Sequence, residues 1–161
     1  MNIRVGQGYD VHKLAENEEL WLGGIRIEHT HGLVGHSDAD VLIHGICDAI
    51  LGAANLRDIG YHFADTDPQF KGIDSKILLK EVMKLLRDNG YELSNVDNTI
   101  VAQRPKINPH IPAMKQCLSE VMNVDEDQIS IKATTSEKMG FVGREEGMAV
   151  HSVALIYKSQ K

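Results

Sequence analysis

The chain has 161 residues, of which 42% are apolar, 5% aromatic and 25% charged, with a net charge of −6. These values fit one soluble domain over residues 1–161 with an aliphatic core, and they exclude a disordered or fibrous chain. The acidic balance argues against a nucleic-acid partner, whose phosphates reward clustered Lys and Arg. It still leaves room for a phosphorylated small ligand whose charge a metal ion neutralises locally.

Met1-Asn2-Ile3-Arg4-Val5 opens directly into a strand-like run without a signal-peptide pattern, although a processed plastid form would look the same. Ile3 to Tyr9 alternates and reads as a first strand. Leu20 to Ile27 reads as a short hairpin turning at Gly23-Gly24, and residues 28–36 as a polar loop. Val41 to Leu56 shows a helical apolar face, with Ser37 or Asp38 as its expected cap and Asp40 completing a box-like pattern. Residues 57–73 read as loop, and Asp74 and Ser75 cap a second helix, Lys76 to Asn89, ended by Gly90. Val96 to Gln103 reads as a strand, Pro105 to Pro109 as a turn, and Ile111 to Met122 as a helix with Pro112 in its first turn. Ile129 to Thr134 and Met148 to Lys158 read as strands on either side of a glycine-punctuated loop. Strands alternating with helices predict an α+β fold, a single mixed β-sheet with helices packed on one face. Cys47 and Cys117 lie in apolar helical patterns without redox spacing, so a reducing cytoplasm is the expected compartment. Charged or His residues interrupt every long apolar stretch, so no membrane association is expected.

Two constellations point to a metal. In Asp10-Val11-His12, residues two apart on extended backbone share a face, so a carboxylate and an imidazole stand side by side. Asp40, His44 and Asp48, spaced four apart, form a polar stripe along an otherwise apolar helix. A solvent-facing stripe is the alternative, but Ala, Gly and Cys around His44 leave little room for one, and buried charge needs pairing or coordination. Asp10, His12 and His44 together make a donor set suited to zinc in an open catalytic site. Asp40 or Asp48 is positioned to take the other imidazole N–H of His44.

Three further segments suit phosphate or charge. Gly35-His36-Ser37-Asp38 precedes a helix N-terminus, where anions are favoured. Lys132 to Lys138 offers consecutive hydroxyls in Thr134, Thr135 and Ser136, with Glu137 able to hold magnesium. Gly140 to Gly147 is too irregular for a nucleotide-binding glycine loop and reads equally as a charged surface loop.

Gly8-Tyr9-Asp10-Val11-His12, His36-Ser37-Asp38-Ala39-Asp40-Val41 with His44, Asp58-Ile59-Gly60, Asp65-Thr66-Asp67-Pro68, Ala102-Gln103-Arg104-Pro105-Lys106, Lys132 to Lys138 and Gly140-Phe141-Val142-Gly143-Arg144 occur in one order along the chain. In this the chain resembles the 2-C-methyl-D-erythritol 2,4-cyclodiphosphate synthases over essentially its whole length. The resemblance implies conversion of 4-diphosphocytidyl-2-C-methyl-D-erythritol 2-phosphate to the cyclic diphosphate with release of CMP, in the non-mevalonate route to isoprenoid precursors. It implies zinc on Asp10, His12 and His44, and a second divalent cation, magnesium or manganese, near Glu137 and the substrate phosphates. His36 and Thr135 match positions that stabilise the transition state, and the substrate's own 2-phosphate is the nucleophile. Asp10, Val11 and His12 match substrate-binding positions, and His36, Ser37, Asp58, Ile59, Gly60, Phe63, Ala64, Asp65, Thr66 and Asp67 match the methylerythritol side. Ala102, Gln103, Arg104, Pro105, Lys106, Ile107, Asn108, Thr134, Thr135, Ser136 and Glu137 match the cytidine-phosphate side.

The same resemblance implies a homotrimer, its sheets around the three-fold axis and its active sites shared between subunits. Phe141 and Arg144, also matched to ligand binding, resemble with Glu146 the lining of an axial cavity that takes isoprenoid diphosphates. Two positions depart from the family pattern: Ala64 stands where proline is commoner, and Ala39 where glycine is frequent. A zinc phosphohydrolase acting on nucleotide diphosphates and a non-catalytic nucleotide binder are the competing readings.

Overall fold

The structure, a computed structural model, describes residues 2–64 and 66–159; Asp65, expected on the methylerythritol side, lies outside the described residues. A long strand β1 (Ile3–Glu16) is followed by the ribbon strands β2 (Leu20–Leu22) and β3 (Ile25–Ile27) and by β4 (His31–Val34). Helix α1 (Val41–Ala54), a helical turn α2 (Ile59–His62) and helix α3 (Ser75–Asp88) come next. Strand β5 (Tyr91–Val101), helix α4 (Ile111–Met122), strand β6 (Ile129–Thr134), a helical turn α5 (Gly140–Gly143) and strand β7 (Gly147–Lys158) complete the order.

Five strands form one mixed sheet in the order β4-β1-β7-β5-β6, with β5 and β6 parallel and the other pairs antiparallel. The helices cover one face: α1 lies on β1 and β7, α4 on β6, and α3 bridges α1 and α4. Among the described residues β2 and β3 pair only with each other, a small ribbon beside the main sheet. This is the expected α+β architecture, with the ribbon added.

Alternation along β1 separates the two faces. Gly6 and Gly8 are buried toward the helices, while Ile3, Val5, Tyr9 and Val11 are exposed on the other side. Val153 and Tyr157 of β7 add to that bare outer surface. On the inner side α1 is buried around almost its whole circumference; only Asp48 and Gly52 escape. A helix apolar all round belongs in a core, and α1 is the core of this fold.

Several elements differ from the expectation, each for a local reason. β1 continues seven residues past Tyr9 to Glu16, because its register with β7 runs unbroken from Ile3↔Tyr157 to Lys13↔Gly147. β5 starts at Tyr91 rather than Val96: a register shift between Leu93 and Asn95 flips the period, so the first half does not alternate in phase with the second. β4 was hidden inside a polar segment, where Gly32 packs against the backbone of Glu19, 2.2 Å from the place a Cβ would take. The cap of α1 is Asp40, whose carboxylate accepts from Ile43 N, and not Ser37 or Asp38. Residues 57–73 hold α2 and a 3-10 turn at Pro68–Phe70, each started by an aspartate cap, Asp58 and Asp67. α4 and β6 have the expected bounds.

The contact between α1 and β1 is backbone against backbone. A Cβ on Gly8 would lie 2.0 Å from the Gly45 carbonyl oxygen, and one on Gly6 2.0 Å from that of Ala49. Gly8→Ala therefore lifts α1 from the sheet, and overpacking of this kind costs about 1–3 kcal/mol. A urea unfolding midpoint lowered accordingly is the expected outcome, and an unchanged midpoint contradicts this packing.

Candidate metal centre and active site

Two residues of β1 and one of α1 meet at the edge of this packed layer. Asp10 and His12 share the inner face of β1, and α1 presents His44 to them across the glycine contact. Asp10 Oδ2 lies 3.0 Å from His12 Nε2 and 3.1 Å from His44 Nδ1, and the two ring nitrogens are 3.0 Å apart. Among the described residues these form the one group of three or more His, Cys, Asp or Glu side chains arranged to hold a metal ion.

The outward nitrogens decide what the inward ones can do. His12 Nδ1 faces the Val34 carbonyl at 3.0 Å, so it must carry the proton and donate. His44 Nε2 lies 3.0 Å from Ser75 Oγ, whose own hydroxyl proton goes to the Asp38 carboxylate, an arrangement that suits a proton on His44 Nε2 donated to Ser75. With both protons committed outward, two imidazole lone pairs and a carboxylate oxygen face one another at hydrogen-bond distance. Three acceptors repel unless a cation lies among them. Donors held tetrahedrally at about 2.0–2.1 Å from zinc stand roughly 3.3 Å apart, close to the spacing here. The donor set and its spacing fit a metal.

The electrostatics agree. Burial works against ionisation of Asp10, but the His12 and His44 rings facing it outweigh burial and hold its carboxyl well below the usual range. Burial likewise lowers the His12 pKa, and the Asp10 carboxylate more than offsets this, raising it. The triad attracts positive charge, whether a proton or a metal cation.

Asp40 and Asp48 do not support His44, contrary to expectation. Asp40 is fully buried and accepts from Gly23 N at 2.9 Å, Gly24 N at 2.7 Å and Ile43 N at 3.0 Å, which clamps the β2–β3 turn to the start of α1. Burial raises its pKa, and these N–H groups act in the opposite sense. Asp48 accepts from Ile59 N at 2.8 Å and seats α2; burial raises its pKa too, with that same N–H opposing. The support for His44 comes instead from Ser75, with Ser37 Oγ 3.1 Å from the same nitrogen.

Beside the triad a cavity of about 310 Å³ is lined by His12, His36, Ser37, His44, Ile59, Gly60, Phe63, Phe70, Ile73 and Leu78. His36, Ser37, Ile59, Gly60 and Phe63 thus line one cavity with His12 and His44. Phe70, Ile73 and Leu78 were not foreseen, since apolar residues in a loop and a helix carry no chemical signal. Asp58 and Asp67 act locally as caps, accepting from Tyr61 N at 2.8 Å and Gln69 N at 3.0 Å, with Ala64 and Thr66 in the loop between. The Val11 side chain points to the outer face of the sheet, so only its backbone stands beside Asp10 and His12. Ala39 adopts a φ of 58°, the left-handed backbone that favours glycine, and its N–H donates to Ser37 Oγ.

A second cavity, about 400 Å³, opens where the parallel strands β5 and β6 end. It is lined by Ala102, Gln103, Pro105, Lys106, Ile107, Asn108, Pro109, Ala133, Thr134 and Thr135. Arg104 points outward, its guanidinium 3.5 Å from Glu145. Ser136 and Glu137 form the turn beyond β6, where Thr135 Oγ1 donates to Glu137 Oε1 at 3.3 Å and Ser136 Oγ donates to the Met139 carbonyl. Farther on, Arg144 pairs with Glu146 at 2.9 Å, and Phe141 is partly exposed. Among the described residues none lines both cavities.

Residues 3–157 match the YgbB family model. The chain is 68% identical over 158 residues to the 2-C-methyl-D-erythritol 2,4-cyclodiphosphate synthase of Parabacteroides distasonis, covering 98% of each chain. It is 62% identical to the enzyme of that name from Bacteroides fragilis, covering 97% of this chain and 98% of that one. Among solved structures, a cytidine diphosphate complex of IspF from Plasmodium falciparum superposes with a TM-score of 0.87 at 36% identity, covering 99% and 98% of the two chains. The bifunctional IspDF of Campylobacter jejuni superposes with a TM-score of 0.94 at 47% identity; 97% of this chain is covered but only 42% of that one, so the similarity spans less than half of the larger protein.

Proposed function

This chain belongs to the YgbB family, to which the 2-C-methyl-D-erythritol 2,4-cyclodiphosphate synthases belong, and we propose that it catalyses their cyclisation. The substrate is 4-diphosphocytidyl-2-C-methyl-D-erythritol 2-phosphate. Its 2-phosphate oxygen attacks the β-phosphorus, the bond from that phosphorus to the bridging oxygen breaks, and CMP leaves with the bridging oxygen. The reaction is that of a phosphorus–oxygen lyase and needs no protein nucleophile. The observation that carries the reading is the triad of Asp10, His12 and His44, with its outward nitrogens committed as donors, at the edge of a cavity.

In this reading Asp10, His12 and His44 hold zinc. When bound, the ion supplies Lewis acidity toward the diphosphate and a fixed point for its orientation. The protein's own contribution is positioning and charge. His36 sits in the same cavity, where its imidazole can donate to a phosphoryl oxygen, and Ile59, Gly60 and Phe63 give the methylerythritol carbons an apolar wall. The second cavity suits the cytidine phosphate: Lys106 offers a cation, Gln103 and Asn108 offer amides, and the hydroxyls of Thr134 and Thr135 suit phosphate oxygens. Glu137, exposed in its turn, is the ligand for magnesium or manganese on the substrate phosphates.

The working unit is a homotrimer with the sheets around its axis, in which the metal cavity of one subunit is completed by the cytidine cavity of the next. Two features support this: the cavities share no lining residue, and the outer sheet face leaves Val5 at 65% and Ile3 at 51% exposure, an apolar surface that needs a cover. Phe141, Arg144 and Glu146 are the candidates for an axial cavity taking isoprenoid diphosphates. The whole chain acts as one domain, in the cytoplasm; among the described residues no helix is long and apolar enough to cross a membrane.

With zinc and magnesium present, phosphorus NMR of the products is expected to show a cyclic diphosphate together with CMP. A ring-open phosphate would instead establish a hydrolase. His44→Ala is expected to lose both bound zinc and CMP release while remaining soluble, and full turnover by the metal-free variant refutes the zinc assignment. Sedimentation is expected to give a trimer; a fully active monomer contradicts shared sites.

A further inference from the structure

We propose that Ser75 and Asp38 form a positioning relay that fixes the tautomer and orientation of His44, and thereby sets the affinity of the triad for its cation. The inference deepens the metal reading above and rests on it. Ser75 is the first residue of α3 and is fully buried. Its backbone N–H donates to Asp38 Oδ2 at 3.0 Å and its hydroxyl donates to Asp38 Oδ1 at 2.5 Å. A serine hydroxyl has one proton. With that proton given to Asp38, Ser75 Oγ can only accept, and the group 3.0 Å away is His44 Nε2. The relay thus places the His44 proton on Nε2, against the alternative in which the Ser37 hydroxyl donates to that nitrogen, and leaves Nδ1 as a lone pair aimed at Asp10 and His12. The other tautomer would put a proton into the middle of the triad.

Capping alone does not explain this arrangement. α3 already has its cap in Asp74, whose carboxylate accepts from Lys76 N at 2.9 Å. Asp38 does more than satisfy one helix end. Its Oδ1 also accepts from Asp40 N at 3.2 Å, and its backbone N–H donates to the Ile73 carbonyl. A single carboxylate thus ties together the start of α1, the start of α3 and the far side of a metal ligand. The Asp38 charge, passed through one hydroxyl, makes the His44 ring a stronger donor, as a carboxylate directly on a ligating histidine does. Ser37 Oγ, 3.1 Å from the same nitrogen and held by the Ala39 N–H, is a weaker second acceptor.

The test compares zinc affinity by competition with a chromophoric chelator in the full chain, its Ser75→Ala variant and its Ser75→Thr variant. Loss of an outer partner of this kind typically weakens metal binding about 10–100-fold. Ser75→Ala is expected to fall in that range with its circular dichroism unchanged, and Ser75→Thr, which keeps the hydroxyl, is expected to stay much nearer the parent. Equal affinity in the parent and Ser75→Ala, or equal weakening in both variants, overturns the relay. Nitrogen-15 NMR of the zinc-loaded parent keeps the proposal open to refutation even if a variant fails to fold. A slowly exchanging His44 Nε2–H is expected there, and zinc bound through Nε2 with the proton on Nδ1 overturns it. A parent that binds no zinc at all defeats the metal reading itself, and the relay with it.

Discussion

The close approach of helix α1 to the sheet is the constraint on which the rest of the molecule depends. Where Gly6 and Gly8 meet the carbonyls of Ala49 and Gly45, the two elements touch through their backbones, with no side chain between. That proximity lets a histidine on the helix reach ligands on the strand: His44 Nδ1 comes within 3.1 Å of Asp10 Oδ2 and 3.0 Å of His12 Nε2. Any residue larger than glycine on the strand would widen the gap between donors whose geometry tolerates only tenths of an ångström. The core and the site are one packing problem. The same burial that stabilises α1 also partly shields the three donors from water and strengthens their attraction for a cation.

Around that contact the aspartates divide the work. Asp40 holds the ribbon turn to the head of α1, Asp48 seats α2, Asp38 links α1 to α3, and Asp10 alone faces inward to the triad. Four carboxylates within one short stretch of structure would repel one another if left bare. Asp38, Asp40 and Asp48 are instead given backbone N–H or hydroxyl donors, the usual condition for burying polar groups, while Asp10 faces the two imidazoles where a cation would sit.

Much of this was legible in the residues. The period-two placement of Asp10 and His12 and an unexplained imidazole on an apolar helix are physical signals, and both led to the triad. The bounds of α4 and β6 followed from Pro112 and from clean alternation. Other features were hidden for identifiable reasons. The shift at Leu93 and Asn95 broke the alternation of β5, so half the strand read as loop. β4 carries glycine and histidine in place of β-branched residues and is defined by its partner strand. Asp40 and Asp48 were correctly seen as carboxylates needing partners, but their partners are backbone amides on the ribbon and on α2, which no spacing along a helix reveals. Ser75 looked like a plain cap until its neighbours in space were known.

Two imidazoles and one carboxylate, drawn from a strand and a helix, are placed to bind a single ion. X-ray absorption spectroscopy of the zinc-loaded protein tests it most directly. The expected spectrum shows a shell of nitrogen and oxygen donors at about 2.0–2.1 Å, with the multiple scattering of two imidazole rings and no sulfur. A sulfur donor at about 2.3 Å, which only a cysteine or methionine could supply, or a shell without imidazole, would contradict it.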